Sequence, residues 1–230
     1  MPSLIFSQNS APPLTIGNLI FSASANYVSS ATIKQSPFSP DIIERNSLID
    51  IKGGYGYSFT VKTRLFRNDL FFGITGEYIK IQDDDATQTL ENDTSAVRIR
   101  VSETLTVTPI EFTGYFNVPS FQENLNIYLG GGIGLYMGDR VRKIQNFESE
   151  TISKSLGLSL VVLSGIEYYF EKNAMAFFEM RFREGEYDVK SKFPVGTITV
   201  RGTPYNIGRE MNSKIFLDGL RLSVGLGYRF

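Results

Sequence analysis

Apolar and polar residues alternate along almost the entire chain with a period of two residues. This period is typical of β-strands with one apolar face, because successive side chains of a strand point to opposite sides of the sheet. The alternation predicts eight strands, an even number. They cover residues 18–29, 48–66, 70–78, 96–118, 125–135, 160–170, 174–182 and 220–230.

The fourth predicted strand, 96–118, changes its apolar phase at Pro109. Proline cannot donate a ladder hydrogen bond, so the pattern predicts a β-bulge at this position. In the half of the strand before Pro109, the pattern places Glu103 on the outer side. We therefore expect this half to extend above any surrounding lipid, because a charge on the lipid face is costly.

The connections between the predicted strands alternate in length. The short turns are 67–69, 119–124 and 171–173, and the long loops lie near 30–47, 82–95, 138–152 and 185–214. This asymmetry is typical of transmembrane barrels with short periplasmic turns and long extracellular loops, and it puts both termini on the periplasmic side. We predict an all-β fold, an eight-stranded antiparallel transmembrane β-barrel. It forms one domain, 18–230, after a lead segment, 1–17.

Charge is distributed unequally between the two faces of the predicted strands. Near the short turns the apolar face carries no charged residue, whereas the opposite face carries nine. These nine are Lys62, Arg64, Glu77, Glu111, Glu167, Glu179, Arg181, Arg221 and Arg229. A Lys or Arg on the lipid face costs about 2–4 kcal/mol at the bilayer midplane, so we assign the apolar face to lipid and the charged face to the lumen. Because unpaired buried charges are costly, we expect the nine to form a structural ion-pair network.

Alternation alone also permits a soluble, lipocalin-like barrel with its apolar face turned inward. The water-facing surface of such a barrel would be built of small residues such as Gly130, Gly132 and Gly134. Phe and Tyr would have to fill its interior at almost every strand. The membrane barrel requires neither feature and is therefore favoured.

Composition narrows the chemistry that the chain can perform. Its 230 residues include no His, no Cys and no Trp, and the formal net charge is −1. The missing side chains exclude Ser-His-Asp triads, cysteine nucleophiles and His- or thiolate-ligated metal sites, and near-neutrality argues against nucleic-acid binding. A carboxylate-only mechanism through the four glutamates of the predicted network is conceivable, but ion pairing is favoured for them. We expect a non-enzyme with no catalytic residue, no cofactor and no metal.

Two charged segments of the predicted loops have alternative interpretations. Residues 83–85, all Asp, could bind a divalent cation, but the segment lacks the EF-hand pattern and a solvated loop tip is favoured. Arg140, Arg142 and Lys143 could pair with lipopolysaccharide phosphates. A merely solvated loop is the favoured interpretation of these three residues as well.

The chain ends in alternating apolar residues with a terminal phenylalanine: Leu222, Val224, Leu226, Tyr228 and Phe230. This pattern resembles the C-terminal signal by which the outer-membrane assembly machinery recognises barrels. Segments 107–112, 129–134 and 165–170 are similar to parts of small outer-membrane barrels of the OmpW, OmpX and OmpA type. The resemblance implies an integral protein of a Gram-negative outer membrane, with the barrel-assembly machinery, membrane lipids and lipopolysaccharide as partners. Residues 1–13 lack a basic region, so we expect an export signal to precede them.

Two functions are compatible with this picture. In the first, ion pairs close the lumen, and the barrel is a non-enzymatic structural or surface-binding protein whose loops contact a surface ligand. In the second, which resemblance to the OmpW type implies, the barrel is a porin-like channel for small apolar molecules. Inward Phe71, Tyr128, Tyr136, Val161 and Leu163 would line that route. Glu167 and Arg181 would obstruct it, so the first function is favoured.

Overall fold

The computed structural model describes residues 19–40, 42–65, 69–92, 95–119, 122 and 124–230 of the chain. The predicted lead segment 1–17 and most of the predicted turn 67–69 lie outside these residues. No helix in the described part of the chain is long and apolar enough to cross a membrane. The helical structure described there is a single turn, α1 (Ile42–Arg45).

The described chain is otherwise built of β-strands and their connections. The strands are β1 (Leu19–Gln35), β2 (Leu48–Arg64), β3 (Leu70–Glu91), β4 (Ala96–Val118), β5 (Leu125–Ile144), β6 (Phe147–Glu148), β7 (Glu150–Lys154), β8 (Gly157–Tyr169), β9 (Ala174–Lys192), β10 (Thr197–Val200), β11 (Thr203–Asn206), β12 (Glu210–Phe216) and β13 (Gly219–Arg229). Neighbours pair antiparallel in the order β1, β2, β3, β4, β5, β8, β9 and β13, and β13 pairs with β1 to close the ring. β13 is the eighth strand of the ring. β12 precedes it in the chain, extends the same ring position upward and pairs with the same two neighbours, β9 and β1. The predicted eight-stranded antiparallel barrel is confirmed.

Most of the predicted long loops 82–95, 138–152 and 185–214 is β-strand instead, and in the predicted loop 30–47 β1 continues to Gln35. β3 continues to Glu91 and β4 begins at Ala96, so residues 82–91 of the segment 82–95 belong to β3. In segment 185–214, β9 runs to Lys192, and the hairpin β10–β11 and β12 follow. Polar side chains on the outer surface of these segments gave them a loop-like composition. Buried residues such as Tyr187 and Val189 alternate with them, as strand residues do.

The barrel consists of two stacked sections of opposite polarity. The lower section holds the terminal residue Phe230 and the strand ends next to the predicted short turns, such as Arg64, Leu70 and Val118, and the upper section holds the opposite strand ends. On β3, Tyr78 is exposed outside the lower section, and Lys80 occupies the same outer face in the upper section. Inside, buried Glu77 is followed by buried Ile79. The lower section is therefore apolar outside and polar inside, and the upper section is the reverse.

β1 and β2 rotate together about their axes at the level of Ser29 and Gly53. Residues of one alternation phase therefore point into the barrel above this level and out of it below. Ile51 is 1% exposed inside the barrel, whereas Tyr55, which the sequence pattern predicts on the same face, is 74% exposed outside. The pairing register of β1 and β2 is the same on both sides of this point. A Cβ atom at Gly53 would lie 2.2 Å from the Val28 carbonyl oxygen, so the close approach requires glycine.

Two predictions for β4 are wrong. No bulge occurs at Pro109, because the pairing of β4 with β5 runs in one register through it. Glu103 points inward and is 0% exposed. The strand keeps its inner and outer faces, and the apolar residues change face because the polarity of the barrel inverts at this level.

Three apolar clusters fill the interior at successive heights. The lower cluster comprises Ile20, Phe71, Tyr115, Tyr128, Leu163, Tyr169 and Met175. The middle cluster comprises Val28, Ala31, Ile33, Ile51, Ile79, Ile81, Leu105, Val107, Tyr136, Tyr187, Val189, Ile215 and Leu217. The upper cluster comprises Ala86, Leu90, Val101, Ile144, Phe193, Ile198, Tyr205 and Ile207. The hairpin β10–β11 supplies Ile198 and Tyr205 and so caps the upper end.

Candidate functional site

Six charged side chains meet inside the lower section. They are Glu77 of β3, Glu111 of β4, Glu179, Arg181 and Arg183 of β9, and Arg221 of β13. Strand alternation puts each of them on the inner face, and none is more than 5% exposed. We call these six residues the central network. Its three negative and three positive charges balance, as a narrow interior with little water requires.

The two arginines at the centre of β9 each bind two carboxylates. Arg181 Nη2 lies 2.7 Å from Glu179 Oε1, and Arg181 Nη1 pairs with Glu111. Arg183 Nε lies 3.2 Å from Glu111 Oε1, and Arg183 Nη2 pairs with Glu77. These contacts join β9 to β3 and β4 across the lumen, so the side chains bridge the barrel rather than line an open path.

Arg221 extends the central network to β1 and β2. Its Nε lies 3.1 Å from Glu77 Oε1. Its Nη2 donates hydrogen bonds to Asn26 Oδ1 at 3.0 Å and to Ser58 Oγ at 2.7 Å. Asn26 in turn donates from Nδ2 to Glu77 Oε1 at 2.7 Å. Side chains of β1 and β13, the two strands whose pairing closes the ring, thus belong to one hydrogen-bonded group.

Two tyrosines complete the hydrogen bonding of the other carboxylates. The Tyr128 hydroxyl donates to Glu179 at 3.0 Å, and the Tyr136 hydroxyl donates to Glu111 at 2.7 Å. Tyr128 belongs to the lower cluster and Tyr136 to the middle cluster. The central network is therefore in contact with apolar clusters on both sides.

Below the central network, Lys62 and Glu167 form a separate buried ion pair at 2.8 Å. The Lys62 ammonium also lies 4.5 Å from the ring centres of Tyr115 and Tyr128. Such cation–π contacts add to the stabilisation of a desolvated ammonium. The pair closes the lumen at the level of the lower cluster.

Arg64 and Arg229, the other two predicted lumen charges, are partly exposed at the lower rim. The Arg229 guanidinium lies 4.5 Å from the ring centre of Tyr169, and that of Arg64 lies 5.7 Å from the ring centre of Phe71. Both stack on rings of the lower cluster. The structure thus places them apart from the central network.

The sequence prediction did not include Arg183, which binds two carboxylates of the central network. It lies two residues after Arg181 on the same face of β9, and this spacing is the signal that identifies it. The prediction stopped short of it because the segment beyond Phe182 was interpreted as the start of a loop.

The upper section contains a second buried ion cluster. Glu103 accepts hydrogen bonds from Arg140 Nη2 at 2.9 Å and from Arg142 Nε. Burial alone would raise the pKa of Glu103, but the two guanidinium groups outweigh it and hold this pKa below its usual value. Arg140 and Arg142 are buried on β5 and therefore structural, so for these two residues both the favoured interpretation as a solvated loop and the alternative of pairing with lipopolysaccharide phosphates are wrong. Lys143 is exposed and pairs with Glu148 at 2.9 Å.

The acidic segment 83–85 is divided between the two faces of β3. Asp83 points inward and is 8% exposed, and Asp84 and Asp85 are exposed outside. A register shift between Asp83 and Ala86 accommodates two consecutive exposed residues. The segment is strand rather than the predicted loop tip. In the described part of the chain, no group of three acidic side chains is arranged to hold a metal ion.

Two solved outer-membrane proteins are similar in structure to this chain. The outer membrane protein OprG from Pseudomonas aeruginosa is 11% identical with a TM-score of 0.61, and the match covers 93% of this chain and 96% of OprG. The outer membrane protease OmpT from Escherichia coli is 8% identical with a TM-score of 0.51, and the match covers 96% and 99%. Neither a family model nor a curated protein sequence matches the chain. The likeness shows the fold, which is that of outer-membrane β-barrel proteins.

Proposed function

We propose that this chain, which has the fold of outer-membrane β-barrels, is an integral outer-membrane protein with a sealed lumen and a non-enzymatic structural or surface-binding role. The outer wall of the lower section supports the location. Leu160, Val162, Val224 and Leu226 on this wall are each 63% or 64% exposed. In water such a belt would aggregate, whereas in lipid it is the expected surface.

The main support for a sealed lumen is that packed side chains fill the barrel interior. From the lower end upward, the lumen holds the lower cluster with Lys62 and Glu167, the central network, the middle cluster, the Glu103 ion cluster and the upper cluster. Separating any charged layer would leave buried charges unpaired, at a cost of about 3–5 kcal/mol for one broken pair. Ion flow through the lumen would have to disrupt every layer.

The chemistry of the central network supports a non-enzymatic role. Its carboxylates accept hydrogen bonds from arginines, Asn26, Tyr128 and Tyr136, so they are occupied by structural partners. A neighbour of the same fold is named as a protease, so the fold alone does not decide the question. The absence of His and Cys from the sequence removes imidazole bases and thiol nucleophiles.

A surface role would use the upper section. Its outer wall is charged and exposed, with ion pairs such as Lys143–Glu148 and Lys190–Glu210, and a surface ligand would bind at this wall or at its connections. The C-terminal residues of the proposed assembly signal lie on the outer face of the lower section, where Val224 is 64% and Phe230 is 70% exposed. On this face they are accessible for recognition by the assembly machinery before the barrel closes.

The apolar interior of the upper section favours a second candidate, an OmpW-like channel for small apolar molecules. Of the five residues expected to line that route, Phe71, Tyr128 and Leu163 pack in the lower cluster. Tyr136 packs in the middle cluster, and Val161 is 2% exposed. A passing molecule would have to displace packed side chains and then cross the central network, so this function is the less favoured.

The proposed location can be tested by refolding the protein into lipopolysaccharide-containing vesicles. We expect heat-modifiable gel migration, flotation with the vesicles and protection of the lower section from proteinase K. A folded monomer that stays soluble without lipid or detergent would contradict the proposal.

A further inference from the structure

An apolar groove of about 880 Å³ lies on the outer wall of the lower section. It crosses from β13 to β4, with Ala23 and Ala25 of β1 and Gly76 of β3 at its floor and Phe59 and Ile110 at its sides. Its size falls within the range of about 300–1,000 Å³ that is typical of ligand pockets. Because this wall faces lipid under the proposed function, the matching occupant is a hydrocarbon chain.

Gly76 leaves space that the protein itself does not fill. Its neighbours across the strand pairs are Phe59 and Ile110. A Cβ atom at Gly76 would meet no atom within 4 Å, whereas one at Gly53 would collide with the backbone. Packing therefore does not require glycine at position 76, and the open volume above it is available to a bound chain.

Stacked rings keep the walls of the groove in place. Tyr57 stacks on Tyr78 with ring centres 5.3 Å apart, and Phe59 stacks on Phe21 at 6.2 Å. Such pairs add stabilisation beyond the area that they bury. The groove is thus formed before a ligand enters, which lowers the cost of binding.

Just above the groove, two residues beyond its lining residue Tyr78 on the outer face of β3, Lys80 supplies a cation suited to a lipid headgroup, and exposed tyrosines lie beside it. Tyr55 and Tyr57 are 74% and 65% exposed near the boundary between the sections, where tyrosines commonly meet the membrane interface. Lys80 lies directly across from Tyr55 and is exposed. Among the described residues Lys80 has no ion-pair partner. An anionic group next to a hydrocarbon chain would therefore find an available ammonium.

We propose that the groove binds an acyl chain of lipopolysaccharide while Lys80 binds a phosphate of the same molecule. The inference rests on the proposed outer-membrane location. The upper end of the groove lies away from the terminal residues and therefore faces the outer leaflet, where lipopolysaccharide is the phosphorylated lipid. An ammonium beside a phosphate supplies a charge-assisted hydrogen bond, and the chain supplies apolar contact.

The absence of Trp from the sequence allows a direct test by fluorescence. Phe59→Trp places a single reporter in the groove, and Phe182→Trp reports from β9, where Phe182 is 58% exposed on the outer wall and does not line the groove. Each protein is refolded in vesicles of dibrominated phosphatidylcholine, which quenches Trp, and unbrominated lipopolysaccharide is titrated in. We expect the groove reporter to recover its fluorescence at a lipopolysaccharide fraction about tenfold lower than the β9 reporter.

Two further substitutions, each made in the Phe59→Trp protein, test whether the lower midpoint depends on the groove and on Lys80. Gly76→Leu fills the groove and Lys80→Gln removes the ammonium, and each is expected to raise the midpoint to that of the β9 reporter. Gly131→Leu is the matched control, because Gly131 is also an exposed glycine, on β5, and a Cβ there would meet its nearest atom at 3.4 Å. This control should leave the midpoint unchanged.

Equal midpoints for the two reporters would overturn the proposal, and so would equally effective recovery with unbrominated phosphatidylglycerol. Gel migration with and without heating identifies the folded barrel in every sample. A barrel that folds and inserts but shows equal midpoints contradicts only the groove site, whereas a failure of all the proteins to insert contradicts the proposed function.

Discussion

At the scale of single residues, the interior charges show which side-chain positions strand alternation predicts and which it does not. The pattern near the short turns places Glu77, Glu111 and Arg181 on the inner face, where the structure has them. Their pairing could not be predicted, because Arg181 meets Glu111 from a strand 70 positions away. Glu103 was assigned to the outside because it is out of phase with the apolar residues before Pro109, and Arg140 because segment 138–152 was interpreted as loop, although these two side chains are buried together.

The Glu103 ion cluster makes a testable prediction about stability. Glu103→Gln removes the carboxylate that Arg140 and Arg142 share, and we expect it to lower the free energy of unfolding by about 3–5 kcal/mol at neutral pH. Urea unfolding of the detergent-refolded barrel measures this change. Glu148→Gln is the control, because the Lys143–Glu148 pair is half exposed and worth at most about 1 kcal/mol.

The same variant predicts a pH dependence. The folded pKa of Glu103 is lowered, so its contribution is present above the unfolded value of about 4.3 and is lost as the pH falls toward the folded value. The difference between wild type and Glu103→Gln should therefore shrink below about pH 4.3. A difference that stays constant down to pH 3 would show that the carboxylate charge is not what stabilises this cluster.

At the scale of elements, the strands are longer than the apolar stripes that predict them. A transmembrane strand needs about 9–11 residues, whereas β3 has 22 and β4 has 23. The length of β4 was predicted in full, whereas β3 was predicted to end at Tyr78 because beyond it the alternation is inverted, with apolar residues inside and polar or charged residues outside. A pattern that reverses its polarity without losing its period indicates one continuous strand that leaves the membrane.

β1 and β2 make the same transition by rotating at Gly53, and this rotation can be tested. Gly53→Ala brings a Cβ atom to 2.2 Å from a backbone oxygen and should cost about 1–3 kcal/mol in urea unfolding. Gly76→Ala, which meets nothing within 4 Å, should change stability by less than about 0.5 kcal/mol. Equal effects of the two substitutions would argue against a close approach at Gly53.

At the scale of the whole molecule, the ring of eight antiparallel strands could be predicted, because strand number and turn asymmetry are properties of the pattern itself. The layered filling of the lumen could not. It depends on which inner residues from distant strands reach the same height, such as Lys62 and Glu167, which are 105 positions apart. The upper cluster also depends on the hairpin β10–β11, which lies inside a segment predicted as loop.

The measurement that tests the sealed lumen most directly is the single-channel conductance of the refolded protein in a planar lipid bilayer. Heat-modifiable gel migration identifies the folded barrel in the sample. Because ion pairs and apolar clusters fill the lumen from the lower to the upper end, we expect insertion without discrete openings. Discrete openings from inserted, folded protein would contradict the sealed lumen and would favour the channel function instead.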